Sequence, residues 1–208
     1  MKPCIVVFAK APQPGQVKTR LIPALGAEGA AALARRMLIH TLGEARQAGL
    51  GGVELCVSPA PVSPVWQAVI PAALADGVQW QDQGEGDLGA RLSRAAARLS
   101  AEAQAMLFIG SDCPALCADI LRQAAAALDT HDALLIPSTD GGYVLLGLRR
   151  GDESLFNDIA WSTAQVAETT RARLLALGWR WAELPALRDV DEPADLACLP
   201  PDWHKAAS

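Results

Sequence analysis

The sequence contains no apolar run close to the roughly 20 residues that a membrane-spanning helix requires. Its N-terminal apolar stretch is short and is soon followed by Lys10, which distinguishes it from a secretory signal peptide. An excess of basic residues is also missing, since the net charge is −5, and this argues against non-specific binding of nucleic acid. We therefore expect a cytoplasmic protein with no membrane span and no nucleic-acid partner.

Disulfide and zinc signatures are equally lacking. The five cysteines are an odd number, and Cys4 and Cys56 lie in apolar runs, as is typical of reduced thiols in a protein core. Cys113 and Cys117 are spaced unlike the ligands of a zinc knuckle, and the three histidines are scattered along the chain. A structural zinc site is therefore not expected.

What the sequence does contain is a regular alternation of apolar runs and helical periods. This pattern is typical of an α/β fold in which helices cover both faces of a mostly parallel sheet. Strands are predicted at residues 4–9, 53–57, 78–81, 106–109, 133–137, 143–148 and 179–184, and helices at 27–48, 65–74, 88–102, 118–128 and 163–177. We expect one domain over residues 1–208, ending after Pro201 in a loose tail from which Trp203 docks on the body.

The first predicted strand leads into a loop that combines stiffness with positive charge. Residues 10–21 read KAPQPGQVKTRL, in which Lys10, Lys18 and Arg20 are the cations and Gly15 lies between them. A loop at the carboxyl end of the first strand of an α/β sheet often holds phosphates, because its stiff backbone loses little entropy and its cations meet the negative charge. The sequence therefore predicts a nucleotide or another phosphorylated ligand.

Two carboxylate motifs follow later strands. Asp112 comes after the fourth predicted strand, at an edge where a carboxylate suits Mg²⁺ or Mn²⁺ that bridges a diphosphate. Asp189 and Asp191 alternate with Val190, which directs both to one side of an extended chain, and either could complete the cation site with Asp112. The alternative for Asp112 is a turn or helix cap, and the alternative for Asp191 is a cap for a helix that begins near Pro193.

Residues 138–143, between two predicted strands, indicate a hairpin turn, because Asp-Gly is a strong hairpin signal. The same turn would hold Asp140 and the only tyrosine, Tyr143, beside an acceptor molecule. A carboxylate so placed could orient or deprotonate an acceptor hydroxyl. A structural and a functional role are therefore compatible at this turn.

A glycine motif in the middle of the chain has a mainly structural interpretation. Gly84, Gly86 and Gly89 match G-x-G-x-x-G, but the match does not follow the first strand, and Glu85 and Asp87 would repel a pyrophosphate. We therefore do not expect a dinucleotide-binding fold, although these glycines could let the backbone approach a ligand.

The sequence Trp161-Ser162-Thr163-Ala164-Gln165 indicates the start of a helix. Ser162 and Gln165 have the spacing of a capping box. The alternative is that Trp161 lines an acceptor pocket.

Together, these motifs resemble those of the bacterial GT-A-type glycosyltransferase-like family, some members of which are assigned to arsenosugar biosynthesis. The resemblance spans about residues 3–197 and rests on the sequences at 8–21, 86–89, 110–114, 140–143, 161–163 and 189–191. More distantly, the chain is similar to 2-phospholactate guanylyltransferase and to the molybdenum cofactor guanylyltransferases, which share the nucleotide-diphospho-sugar transferase fold.

The resemblance implies a Rossmann-like, three-layer GT-A fold, with a nucleotide half at the N-terminus and an acceptor side formed by the later hairpin. It places on the nucleotide Lys10, Gly15, Lys18, Arg20, Gly86 and Asp87, and on the acceptor side Gly141, Gly142, Tyr143 and Trp161. It further implies that Asp112 and Asp191 hold Mg²⁺ or Mn²⁺ and that the catalytic residues are Asp112, Asp140 and Lys18.

The first expectation for function is a metal-dependent glycosyltransferase that moves a sugar from a nucleotide-sugar to a small-molecule acceptor. The second is a guanylyltransferase-like nucleotidyltransferase, which uses a nucleoside triphosphate to activate a phosphorylated small molecule and releases pyrophosphate. The third is a non-catalytic nucleotide-binding module. Many metal-dependent sugar transferases of this fold carry Asp-x-Asp after the fourth strand, whereas this chain has Asp112-Cys113-Pro114, closer to the nucleotidyltransferases. The base, the sugar, the acceptor and the oligomeric state are left open.

Overall fold

Seven strands form one sheet in the computed structural model, which describes residues 2–200 and residue 203. The strands are β1 (Cys4–Lys10), β2 (Val53–Ser58), β3 (Val78–Asp82), β4 (Met106–Ile109), β5 (Ala133–Pro137), β6 (Tyr143–Leu148) and β7 (Trp181–Glu183). The α-helices are α1 (Ile22–Gln47), α2 (Ala72–Ala75), α3 (Leu88–Ala101), α4 (Ala118–Ala127) and α5 (Val166–Ala176). Each predicted strand is present, and only β7 is markedly shorter than predicted.

The order of the strands in the sheet is β3-β2-β1-β4-β6-β5-β7. Neighbouring strands run parallel except β6, which is antiparallel to both β4 and β5. The chain builds outward from β1 to β2 and β3 and then places β4 on the other side of β1, so the strand order reverses there. Open α/β sheets bind ligands at such a point, outside the carboxyl ends of the strands. The predicted α/β fold with a mostly parallel sheet is confirmed.

The sheet is covered on both faces, which explains why its central strands are continuous apolar runs. In β1, Ile5 and Val7 face the layer that contains α1 and α4, whereas Cys4 and Val6 face the layer that contains α3 and α5. All five cysteines are free, and burial raises the pKa of Cys4 to about 12. The three-layer arrangement and the reduced core thiols are as predicted.

Backbone chemistry accounts for the differences from the predicted helices. α1 begins earlier than predicted and bends at Gly26, whose φ of 71° lies outside the helical region. The predicted helix at 65–74 is instead a 3₁₀ helix, Pro64–Ala68, followed by the short α2, because the extended Pro71 separates them. Within the described residues, no helix has both the length and the hydrophobicity that crossing a bilayer demands.

Trp203 packs against α1. Its ring lies edge-on to His40 with centroids 5.3 Å apart, and the Arg36 guanidinium lies 4.7 Å from its ring centre. The predicted docking of Trp203 is confirmed, and the other residues of the tail lie outside the described part of the chain.

Candidate functional site

A cleft of about 560 Å³ lies at the carboxyl ends of β1, β4 and β5, beside the reversal in strand order. Small-molecule sites commonly have volumes of this size. The predicted site residues that line the cleft are Lys10, Lys18, Arg20, Asp112, Asp140, Gly142, Tyr143, Trp161 and Asp191. The other predicted residues, which belong to loops rather than to its lining, are Gly15, Gly86, Asp87 and Gly141.

The loop after β1 is folded back so that its cations face the cleft. Lys10 Nζ donates to the carbonyl of Gln16 at 3.0 Å, and Gly15, with a φ of 75°, makes the turn between them. Arg20 follows on a short 3₁₀ helix and reaches the rim of the cleft, where its side chain is 67% exposed and lies 3.9 Å from Glu192. The charged ends of Lys10 and Arg20 are therefore accessible to a ligand.

Lys18 differs from these two residues because it is buried among carboxylates. Its side chain is 7% exposed, and Nζ lies 2.6 Å from Asp191 Oδ1 and 3.0 Å from Asp112 Oδ1. Burial by itself would lower the pKa of Lys18, but the two carboxylates outweigh burial and raise it above its usual value. The backbone of Lys18 is left-handed, with a φ of 46°, which is uncommon for a residue with a side chain. Lys18 therefore stays charged and links two separate loops.

Backbone pairing brings those two loops together. The Val190 N–H donates to the carbonyl of Asp112 at 2.9 Å. The Val190 side chain is buried in the apolar cluster against α1, so Asp189 and Asp191, which flank it, both face the cleft. The predicted alternation of this segment is confirmed.

Neither Asp112 nor Asp191 is the N-cap of a helix, so the helix-cap alternative for each residue is wrong. The N-cap of α4 is Cys117, and the N-cap of the 3₁₀ helix Pro193–Cys198 is Glu192. The two aspartates instead share the ammonium of Lys18.

Three carboxylates next to Lys18 form a compact group. Asp140, Asp189 and Asp191 each offer an oxygen, and these oxygens all lie within 4.8 Å of one another. Burial, together with the charges of Asp140 and Asp191, raises the pKa of Asp189 to about 6. Oxygen ligands of this kind are preferred by Mg²⁺ and Mn²⁺. Asp140 and Asp189 thus lie beside Asp191, whereas Asp112, the other member of the predicted pair, is linked to Asp191 through Lys18. The alternation of aspartates was the signal that pointed to Asp189.

The carboxylate of Asp140 is oriented by its own turn, the predicted hairpin between β5 and β6. Its Oδ1 accepts hydrogen bonds from the Ser138 hydroxyl and, at 3.0 Å, from the Gly142 N–H. Both bonds end on Oδ1, so among the described residues Oδ2 is left for a ligand.

The hairpin also supports an aromatic wall of the cleft. Gly141 has a φ of 94°, and a Cβ on it would overlap the carbonyl of Ala164. The Ala167 N–H donates to the Gly141 carbonyl at 3.0 Å, which fastens the hairpin to the start of α5. Trp161 lies edge-on to Tyr143 with centroids 6.4 Å apart. Burial raises the pKa of Tyr143, so its hydroxyl stays protonated.

The predicted capping box at Ser162 is wrong. α5 begins at Val166 with Gln165 as its N-cap, and Ser162 has a left-handed backbone with a φ of 63°. The chain turns at Ser162, after Trp161 has entered the lining of the cleft, and this turn delays the start of the helix.

The glycine-containing loop at 83–89 is a rigid support beside the cleft. Asp87 is the N-cap of α3 and accepts a backbone N–H of its first turn at 2.8 Å. The buried amide of Gln83 donates to the carbonyls of Ala9 and Cys56 at 3.1 Å and 2.9 Å, which clamps the loop to β1 and β2. Sequence reasoning missed Gln83, because a lone glutamine gives no signal until its carbonyl partners are known.

Two polar residues of α1 support the Asp112 loop from behind. Glu44 accepts the Ala118 N–H at 2.7 Å, and His40 Nε2 lies 3.0 Å from the carbonyl of Pro114. Sequence reasoning missed both, although their spacing of four along a largely apolar helix was an available signal.

Solved structures confirm the fold and the transferase class. A "putative nucleotide-diphospho-sugar transferase" from Desulfovibrio desulfuricans G20 is 28% identical, with a TM-score of 0.82 over 91% of this chain and 82% of that chain. CMP:2-keto-3-deoxy-manno-octonic acid synthetase, solved with CTP, is 16% identical, with a TM-score of 0.56 over 95% of this chain and 96% of that chain. Rv0371c from Mycobacterium tuberculosis H37Rv, solved with manganese, is 18% identical, with a TM-score of 0.53 over 95% of this chain and 97% of that chain. At these lower identities the last two structures show the fold alone.

None of the curated proteins matches the sequence significantly. A family described as "Uncharacterized protein conserved in bacteria (DUF2064)" matches residues 41–163, which is more than half of the chain. The matched region runs from within α1 through β6 and includes Asp112, Asp140 and Trp161. The chain therefore belongs to the DUF2064 family.

Proposed function

We propose that the protein is a metal-dependent glycosyltransferase that moves a sugar from a nucleotide-sugar to a small-molecule acceptor. The observation that carries this proposal is the layout of the cleft, with the cationic loop after β1 on one side, the hairpin on the other and the carboxylates between them. Such a layout suits a donor with a diphosphate at one end and a transferable sugar at the other. The identity of 28% to a protein described as a nucleotide-diphospho-sugar transferase supports the same class of donor.

The cationic loop would bind the donor phosphates. Lys10 and Arg20 present accessible charges at the mouth of the cleft. Arginine suits phosphate because its planar guanidinium can donate two parallel hydrogen bonds, whereas lysine acts as a point charge. The rigid loop at 83–89 would keep the neighbouring strand ends in place while the donor binds.

The carboxylates fit a divalent cation. Asp140, Asp189 and Asp191 offer oxygens within 4.8 Å of one another, and Asp112 shares the Lys18 ammonium with Asp191. Burial and neighbouring charge raise the pKa of Asp189 to about 6, as expected where carboxylates crowd together. A divalent cation held by Asp112, Asp189 and Asp191 would neutralise the negative charge that builds on the departing phosphate.

Asp140 would face the acceptor. Its Oδ1 is fixed by the turn, and its Oδ2 is placed to accept the proton of an acceptor hydroxyl. The hydroxyl oxygen then attacks the sugar carbon, and the nucleoside diphosphate leaves with the electron pair of the broken bond. Tyr143 and Trp161 would pack on the acceptor and exclude water from the reacting atoms.

Nucleotidyl transfer is the second candidate, and one observation favours it. The exit of β4 carries Asp112 alone rather than an Asp-x-Asp pair, with Cys113 and Pro114 following. In this reaction a phosphate of the acceptor attacks the α-phosphorus of a nucleoside triphosphate, and pyrophosphate leaves. The same cations and carboxylates would serve this chemistry.

A thermal-unfolding titration tests both candidates. The protein is mixed with Mn²⁺ and with matched panels of nucleotide-sugars, nucleoside diphosphates and nucleoside triphosphates, because a ligand that binds the native state raises the unfolding temperature. We expect one nucleotide-sugar to stabilise the protein more than its parent diphosphate, and only with Mn²⁺. A preference for a triphosphate would favour nucleotidyl transfer, and no stabilisation by any member would contradict both.

Two aspartate variants provide a matched control. Asp112→Asn is expected to abolish the metal-dependent stabilisation without loss of the circular dichroism of the fold. Asp119→Asn, which removes an exposed carboxylate of α4 that pairs with Arg122, is expected to keep the metal-dependent stabilisation.

A further inference from the structure

Lys18 occupies a position that a cation shared by Asp112 and Asp191 would take. Its Nζ contacts Oδ1 of both residues, at 3.0 Å and 2.6 Å. A divalent ion would bind the same oxygens at about 2.0–2.2 Å, and it cannot do so while the ammonium group remains between them. Lys18 and such an ion therefore compete for one place.

The carboxylates of the cleft carry more negative charge than Lys18 can compensate, which favours a cation of higher charge. Asp112, Asp140, Asp189 and Asp191 all face the cleft, and Lys18 is the cation that contacts two of them. Lys10 and Arg20 are accessible at the mouth of the cleft, but their contacts among the described residues are with the Gln16 carbonyl and with Glu192 rather than with these four carboxylates. One ammonium group thus compensates only part of the charge of four carboxylates.

Lys18 is also well placed to move from this position to a ligand. It belongs to the loop after β1, between the accessible Lys10 and Arg20, and all three line the same cleft. Its backbone at a φ of 46° directs the side chain inward in a conformation that few residues with a side chain adopt. Release from the carboxylates would let the Lys18 ammonium group turn toward a ligand in the same cleft.

We propose that Lys18 is an internal cation that fills the metal site of the free protein and is displaced by a divalent ion, after which it is free to meet the donor phosphates. The second half of this proposal rests on the proposed function, whereas the displacement by metal does not. Metal and nucleotide would then bind with positive cooperativity. The metal frees Lys18 to meet the donor phosphates, and a nucleotide that holds Lys18 keeps it away from the metal ligands.

Chemical labelling of the wild-type protein tests the displacement directly. The chain has only four lysines, Lys2, Lys10, Lys18 and Lys205, so acetylation by acetic anhydride can be read at each by mass spectrometry. Lys18 is expected to react slowly without metal and several times faster with saturating Mn²⁺, while Lys10 is unchanged. Equal protection of Lys18 with and without bound Mn²⁺ would overturn the proposal.

Metal affinity gives a second, independent test. The binding of Mn²⁺ alone is measured from the electron paramagnetic resonance signal of the free ion, for the wild-type protein, Lys18→Met and the control Lys2→Met. We expect Lys18→Met to bind Mn²⁺ about tenfold more tightly than the wild type, since a positive charge in direct contact with the ligands is removed. Lys2→Met is expected to stay within about twofold, because Lys2 is exposed and precedes β1, at the opposite end of that strand from the cleft, so its charge is screened.

Equal or weaker Mn²⁺ binding by Lys18→Met, or the same gain in both variants, would contradict the displacement. If circular dichroism shows that Lys18→Met does not fold, the acetylation of wild-type Lys18 alone decides whether the displacement occurs. Both tests use Mn²⁺ without nucleotide, so a failure of the proposed glycosyltransferase in the ligand panel leaves them intact. Conversely, if the ligand panel identifies a donor but bound Mn²⁺ leaves Lys18 protected from acetylation, only the displacement is rejected.

Discussion

The two walls of the cleft are built in different ways. One wall, which we propose binds the donor and call the donor wall, is the loop at residues 10–21. It carries charged side chains, and in it Arg20 is 67% exposed and Gly15 turns the chain in open space. The other, which we propose faces the acceptor and call the acceptor wall, is the hairpin at residues 138–143. It depends on close packing, since Gly141 lies against Ala164 with no room for a side chain. The exposed charge of Arg20 can therefore change at little cost to the fold, whereas the shape of the acceptor wall cannot.

This difference suits the two classes of ligand that we propose. The diphosphate is a constant part of nucleoside-diphosphate-sugars, so cations that bind it need not recognise the base or the sugar. An acceptor must be distinguished from other small molecules, and such discrimination requires a pocket of defined shape. If stability resides in the acceptor wall and binding in the donor wall, substitutions in the two walls should have different effects.

The largest effect is expected from Gly141→Ala. The residue has a φ of 94°, and its new Cβ would overlap the Ala164 carbonyl, so the hairpin and the start of α5 must separate. We expect a loss of about 3 kcal/mol in the free energy of unfolding, measured by urea denaturation. Gly15→Ala is the control, because Gly15 also has a positive φ but nothing within 4 Å of its Cβ position, and should cost only about 1 kcal/mol. Equal losses would mean that the two walls are packed alike.

A smaller effect, with a defined pH dependence, is expected from Asp189→Asn. Burial first, and then Asp140 and Asp191, raise the pKa of Asp189 from 3.8 to about 6. Between these pH values the native state binds more protons than the unfolded state, so the wild type loses stability as the pH rises through this window. The asparagine variant does not ionise, and it should be more stable than the wild type above pH 6 by about 1 kcal/mol, allowing for solvent screening.

Urea denaturation of both proteins in metal-free buffer, from below pH 4 to above pH 7, measures this difference. It should vanish at the acidic end, where Asp189 is protonated in both states. A constant difference across the range would show that a lost contact, rather than the crowding of carboxylates, is responsible. Asp119→Asn, which changes an exposed residue of α4 that does not line the cleft, controls for the general effect of removing one carboxylate.

The sheet and the motifs at its edge could be predicted because each depends on local sequence. Continuous apolar runs identify strands buried on both faces, and the alternation of Asp189 and Asp191 about Val190 survives in the structure. The hairpin at Asp140 is likewise a local property of Asp-Gly. The placement of these motifs at one cleft followed from the parallel direction of most strands.

The details that were missed depend on partners far away in sequence. The pairing of Lys18 with Asp191 joins residues that only the complete sheet brings together, so sequence reasoning assigned Lys18 to phosphate and Asp191 to metal without seeing their contact. The start of α5 was misplaced because the packing of Ala164 on Gly141 prevails over the local capping signal at Ser162. Local chemistry thus gives the elements, and tertiary packing decides where a helix starts and which charges meet.

The smallest effect on stability, together with a clear effect on binding, is expected from Arg20→Ala. Arg20 lies 3.9 Å from Glu192 and is largely exposed, so its removal should change the free energy of unfolding by less than about 0.5 kcal/mol. The affinity of the Arg20→Ala variant for the nucleotide that stabilises the wild type most should fall by about tenfold at low salt and less at high salt, as measured by calorimetry. Arg150→Ala is a matched control outside the cleft, because Arg150 is 61% exposed and lies 4.0 Å from Asp132. If Arg20→Ala binds the nucleotide as tightly as Arg150→Ala at every salt concentration, Arg20 does not contact phosphate, and the donor wall is reduced to Lys10 and Lys18.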